Sequence, residues 1–279
     1  LSGNAVDGSD KFGSQWFPFA FNCPMNDLQQ TSIPDVVTLM NQDFEGTNIW
    51  LNEIWKGGFK GVARCNRVIA NAPAMTIDAT FKNQKIAEAE CLRGIFYLLL
   101  VRAYGDVPLL LTEQTGASNL TPHKTPKAQV LAQIVTDLTA AAAALPTTLD
   151  GADVGRVTKG TALGYLALTN LYQQNWTAAI TNTEAIKALG IYGLWANYSD
   201  AYKWPDAENG KESLFEIQYA DIPGQDQFYQ QFIGLTDANG ILKNGNNWSV
   251  LFPSKQFVQA FEPGDQRRWE VLTNGETIS

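Results

Sequence analysis

The stretch Ala87–Glu113, AEAECLRGIFYLLLVRAYGDVPLLLTE, constrains the fold most. Cys91, Leu92, Ile95, Phe96, Leu98, Leu99, Leu100, Val101 and Ala103 leave a helix here little room for a wet face. A helix apolar on nearly all sides belongs in a protein core or a bilayer. Its uninterrupted apolar run, Ile95 to Val101, falls far short of the roughly 20 residues that span a membrane. The stretch therefore predicts a core helix. Gly105 suits a left-handed C-cap and Pro108 cannot continue a helix. Val107 to Leu111 then reads as a short extended segment.

The chain must cover this helix. At 279 residues it is long enough to do so with one large domain or two modest ones. Thr47 to Asn71 is expected to be a helix, with Leu51, Ile54, Trp55, Val62, Cys65 and Ile69 at helical spacing, ended by Ala72-Pro73. Asp78 can cap the core helix. Thr125-Pro126 predicts another start, with Thr as N-cap and Pro at the first helical position. Val130, Ile134, Val135, Leu138, Ala141, Ala142 and Leu145 form its apolar side, and Pro146 stops it. Thr158–Gln173 and Asn175–Leu189 predict a helical hairpin with Asn175 at the joint and Gly190 after the second helix. Ala167 and Ala179 lie where paired helices touch in a tetratricopeptide-type hairpin, and Trp176 and Leu189 fill positions that such a unit keeps large and apolar. Gly57, Gly58 and Gly61 predict close helix packing.

Outside this body the chain changes character. Leu1 to Gly46 reads as irregular, with Phe12, Trp16, Phe17, Phe19 and Phe21 among glycines and prolines. Ser213–Tyr219 alternates like a short strand, and Pro253–Phe261 predicts a short helix. Between them Asp221–Asn247 is rich in Gly, Asn, Asp and Gln.

Composition narrows the chemistry. The formal net charge of −8 opposes binding to nucleic acid or to an anionic membrane surface. Cys23, Cys65 and Cys91 form no CxxC, and Cys65 and Cys91 fall on apolar helix faces, so both read as small buried hydrophobes. One histidine excludes a His-based zinc site, and no metal or cofactor is expected. That residue, His123, follows Pro122 in a polar loop, and without a GxSxG elbow it makes no hydrolase triad. No pair of carboxylates is placed in a cleft as a glycosidase requires. Glu90 and Arg93, three residues apart on one helix, read as a structural pair. No enzyme activity is expected.

Aromatic residues in loops are the remaining signal. The apolar faces of sugar rings stack on Trp and Tyr, while their hydroxyls pair with Asn, Asp and Gln. Trp248 beside Asn246 and Asn247, with Tyr229 upstream, fits that chemistry, and Trp16 is a second candidate. Each of these aromatics has a plain alternative as a buried loop anchor.

In order, the segments resemble the SusD/RagB family of surface-exposed nutrient-binding lipoproteins of Bacteroidetes. AEAECLRGIFYLLLVRAYGDVPLL at Ala87–Leu110 is similar to that family's helix of the type EARFLRAFYYFDLVRLFGDVPL. Matching blocks follow the family order at Ile54–Pro73, Thr125–Pro146, Gly155–Ile180, Glu212–Tyr219 and Pro253–Arg268, so the resemblance covers about residues 47 to 270. It implies a mainly α, SusD-like fold with tetratricopeptide-like hairpins, long irregular loops and a few short strands. The expected layout is a single SusD-like domain over 1–279, incomplete at both ends, with a helical body over 47–190 and a loop-rich, ligand-facing part over 191–279. The implied function is capture of oligosaccharide or peptide at the outer-membrane surface and delivery to a SusC-type TonB-dependent transporter. The membrane would be reached only through an N-terminal lipid anchor outside this chain. A tetratricopeptide-type scaffold that binds only a protein partner is the alternative.

Overall fold

The computed structural model describes residues 25, 28–29, 33–113, 122–203, 206–218 and 252–267. In chain order the elements are β1 (Leu28–Gln29), α1 (Pro34–Met40), α2 (Ile49–Asn71), α3 (Ala79–Tyr104), α4 (Lys127–Ala144), α5 (Lys159–Tyr172), α6 (Trp176–Ala188), β2 (Phe252–Pro253) and α7 (Lys255–Gln259). The fold is mainly α, as its helix-spaced apolar residues predict. Two compact units form, Leu1–Gly57 with Gln218–Ser279 and Gly58–Ile217, and α2 runs across the boundary.

In the first unit, α1 corrects the expectation that residues 1–46 are irregular. Pro34 occupies the start of the helix, where its missing N–H costs nothing, and Val36 and Leu39 are buried. Seven residues make under two turns, so the helical spacing of Val36 and Leu39 is a weak signal beside the proline. Asn48, itself buried, accepts hydrogen bonds at Oδ1 from the Trp50 and Leu51 N–H groups in the first turn of α2. Its Nδ2 donates to the Asp35 carbonyl at 2.9 Å, tying α1 to α2. β1 and β2 pair antiparallel, with Leu28 opposite Pro253 and Gln29 opposite Phe252. Ser254 then caps α7 by accepting from the Phe257 N–H at 3.0 Å, and Phe257 meets Phe261 edge-on at 5.3 Å.

The second unit is built on α3. Asp78 caps it, accepting from the Phe81 N–H at 2.8 Å as its sequence position predicts. Cys91, Ile95, Tyr97, Leu98, Leu100 and Val101 are buried, and each large apolar side chain contributes about 1.5–3 kcal/mol relative to exposure. Glycines let neighbouring helices approach. A Cβ on Gly61 would sit 2.4 Å from the Phe96 ring, and one on Gly58 would sit 2.8 Å from Leu100. Cys65 and Cys91 are free, buried thiols, and burial pushes both up to about 12. α3 ends at Gly105 with φ 71° and ψ −116°, the mirror image of extended backbone, which only glycine enters readily.

After α3, Val107 forms one antiparallel bridge with Thr125. The start of α4 differs from expectation. Helical structure begins at Lys127, and Thr125 donates its N–H to the Val107 carbonyl. The free Lys127 N–H is met by the Asp106 carboxylate at 2.8 Å, 21 residues back. The bridge holds Thr125 extended, so a distant acid takes over the capping role.

α3 packs on α4, α4 on α5, and α5 on α6. Thr158 and Thr161 close a capping box at the start of α5, and Asn175 caps α6 by accepting from the Ala178 N–H. Ala167 and Ala179 are buried in the hairpin, as the tetratricopeptide-type spacing predicts. Trp176 is not a core residue. It stands 58% exposed on the first turn of α6, near the end of the helix array, where no following helix covers it among the described residues. Residues 213–218 form no strand; with no partner strand among the described residues, the segment docks on α5 through Leu214. The Leu214 carbonyl accepts from Thr161 Oγ1 at 2.7 Å, and its side chain lies over Gly164.

Candidate functional site

The buried acids of the second unit are committed to structure. Arg93 donates from Nε to Asp137 Oδ2 at 2.7 Å and from Nη2 to Oδ1 at 2.8 Å, a two-pronged ion pair between α3 and α4. This replaces the expected Glu90 pairing, because the buried side of α3 carries Arg93 towards α4 and leaves Glu90 half-buried at its margin. Burial works against the Arg93 charge, but the hydrogen bonds and charge of Asp137 outweigh it and hold the guanidinium firmly protonated. Burial raises the Glu90 carboxyl above the usual range, and Asp137 adds to the effect. Glu88, also buried, accepts from Lys85 Nζ and from the Arg156 guanidinium.

This polar core grips the segment after Gly105. Arg93 Nη1 donates to Asn66 Oδ1 at 2.8 Å and to the Leu111 carbonyl. Asn66 Nδ2 donates to the carbonyls of Leu110 and Thr112. The Tyr97 hydroxyl donates to the Leu110 carbonyl at 2.9 Å and accepts from the Leu110 N–H at 2.6 Å. Beyond the Val107 bridge, side chains thus satisfy backbone groups of this segment at Leu110, Leu111 and Thr112. Burial pushes the Tyr97 phenol up to about 12, so it remains a donor at all physiological pH values.

Some accessible apolar side chains lie on the hairpin and in the loop after it. Leu171 and Tyr172 at the end of α5 and Trp176 and Ile180 on α6 are exposed, Ile180 by 62%. Arg102 stacks on the Tyr172 ring at 5.0 Å. In the loop after α6, Trp195 is half-buried. Lys211 Nζ lies 4.7 Å from its ring centre, and the Trp195 backbone N–H donates to Glu212 Oε1. Leu194 beside it is 84% exposed. The hairpin spacing puts Trp176 at a position kept large and apolar, and nothing in the sequence singles out Trp195. Apolar residues at helical spacing give no sign of which face a neighbour fails to cover.

The stacking candidates Trp248, Tyr229, Asn246, Asn247 and Trp16 lie outside the described residues. His123 is exposed. Among the described residues, no group of three or more His, Cys, Asp or Glu is arranged to hold a metal ion, and no helix is long and apolar enough to cross a membrane.

Comparison with known proteins places this geometry. A profile of the SusD-like family, described as starch-binding and associating with the outer membrane, matches residues 20–171. SusD-like protein P2 of Formosa agariphila is 28% identical over 231 residues, covering 79% of this chain and 45% of that protein. The chain thus spans about half the length of the curated relatives it matches. A SusD superfamily protein of Parabacteroides distasonis superposes with a TM-score of 0.81 at 21% identity, over 91% of this chain and 55% of the other. A SusD-like carbohydrate-binding protein of Bacteroides fragilis is 27% identical with a TM-score of 0.70, over 79% of this chain and 42% of the other. The profile match spans more than half of the 279 residues, and the chain belongs to the SusD-like family.

Proposed function

We propose that the chain is part of a cell-surface protein that binds oligosaccharide, or peptide, without cleaving it and delivers it to a TonB-dependent outer-membrane transporter. Membership of a family described as starch-binding and associating with the outer membrane carries this reading. The carbohydrate-binding relative from Bacteroides fragilis supports the ligand class. Membership of a family of binding proteins also supports binding without hydrolysis. In this reading the ligand meets Trp248, Tyr229, Asn246, Asn247 and Trp16 on the loop-rich side over 191–279 and the first loop. The hairpin side of the helical body over 47–190 meets the transporter.

Calorimetry with a panel of neutral glycans, amylopectin among them, and of peptides tests this. Saturable binding to at least one, with the chain length of the bound ligand unchanged after incubation, is expected. Absence of binding to every member of the panel overturns the ligand reading, and turnover overturns the binder-only reading.

The exposed Trp176 and Ile180 favour a second reading, a scaffold whose hairpins meet only a protein partner. Co-purification of the transporter together with loss of all glycan and peptide binding would favour the scaffold. Under either reading, Trp176→Asp should weaken that co-purification.

A further inference from the structure

We draw no further inference here: the strongest candidate, the apolar patch of Leu171 and Tyr172 on α5 with Trp176 and Ile180 on α6, belongs to the surface already proposed to meet the transporter, and nothing in the structure shows what else covers it.

Discussion

Arg93 and Asp137, 44 residues apart, form a two-pronged ion pair with donor–acceptor distances of 2.7 and 2.8 Å and side chains only 7% and 3% exposed. It joins α3 to α4, and through Asn66 and Leu111 it also reaches α2 and the segment after α3. Breaking such a pair from one side strands a buried charge. Arg93→Met and Asp137→Leu are each expected to cost about 3–5 kcal/mol. The double variant should cost clearly less than the sum of the two. Urea titration of all four proteins measures this, and additive losses would show that the pair is not coupled.

Gly61→Ala tests close packing of α2 on α3. Alanine is the better helix former by about 1 kcal/mol, yet its Cβ would meet three atoms of the Phe96 ring at 2.4–2.6 Å. A net loss of about 1–3 kcal/mol is expected from overpacking. Phe96→Leu in the same chain should recover part of it. A more stable Gly61→Ala protein in thermal melts would mean that the helices are not in contact there.

Asp106 caps α4 from 21 residues back, accepting from the Lys127 N–H at 2.8 Å. Asp106→Ala is expected to cost about 0.5–2 kcal/mol, and Asp106→Asn much less, because an amide oxygen also accepts. Equal losses in both variants would point to charge in place of the hydrogen bond.

Glu90 gives a pH-dependent prediction. Its folded-state carboxyl is raised by burial and by Asp137, so ionising it disfavours the fold. Its contribution to stability is fully present below its unfolded value of about 4.3 and is lost as pH rises through the raised folded value. Glu90→Gln should therefore raise the Tm at pH 7, with the gain shrinking towards pH 4. A gain independent of pH would assign the effect to something other than the charge.

Local signals in the sequence were sufficient for much of this fold. The apolar circumference of α3, its Asp78 cap, the Asn175 joint and the burial of Cys65 and Cys91 all depend on residues within a few turns of one another. What was not legible depends on distance. Glu90 is the nearer acid to Arg93 along the chain, but helix packing delivers Asp137. Thr125 looks like a cap, but a backbone bridge to Val107 holds it and Asp106 replaces it. Trp176 sits at a core-like spacing, but its helix lies where no neighbour covers it among the described residues. Ser213–Tyr219 alternates like a strand, but Leu214 docks on Thr161 and residues 213–218 pair with no strand among the described residues. The grouping of Trp248 with Asn246, Asn247, Tyr229 and Trp16 rests on side-chain chemistry alone, since all five lie outside the described residues.

Trp248 provides the sharpest test of that grouping. If its indole stacks on a sugar ring, Trp248→Ala should weaken glycan binding by about 1–3 kcal/mol, as loss of an aromatic contact does at other binding sites. That is about a five- to 150-fold rise in Kd. Trp248→Phe keeps an apolar face and should retain part of the affinity. The same calorimetry that identifies a binding glycan provides the measurement, and urea titration of each variant separates lost contact from lost folding. Neighbouring Asn246 and Asn247 are expected to contribute through hydroxyl hydrogen bonds of about 0.5–1.5 kcal/mol each. Unchanged affinity in a folded Trp248→Ala protein would remove this tryptophan from the site, leaving Tyr229 and Trp16 to be tested in turn.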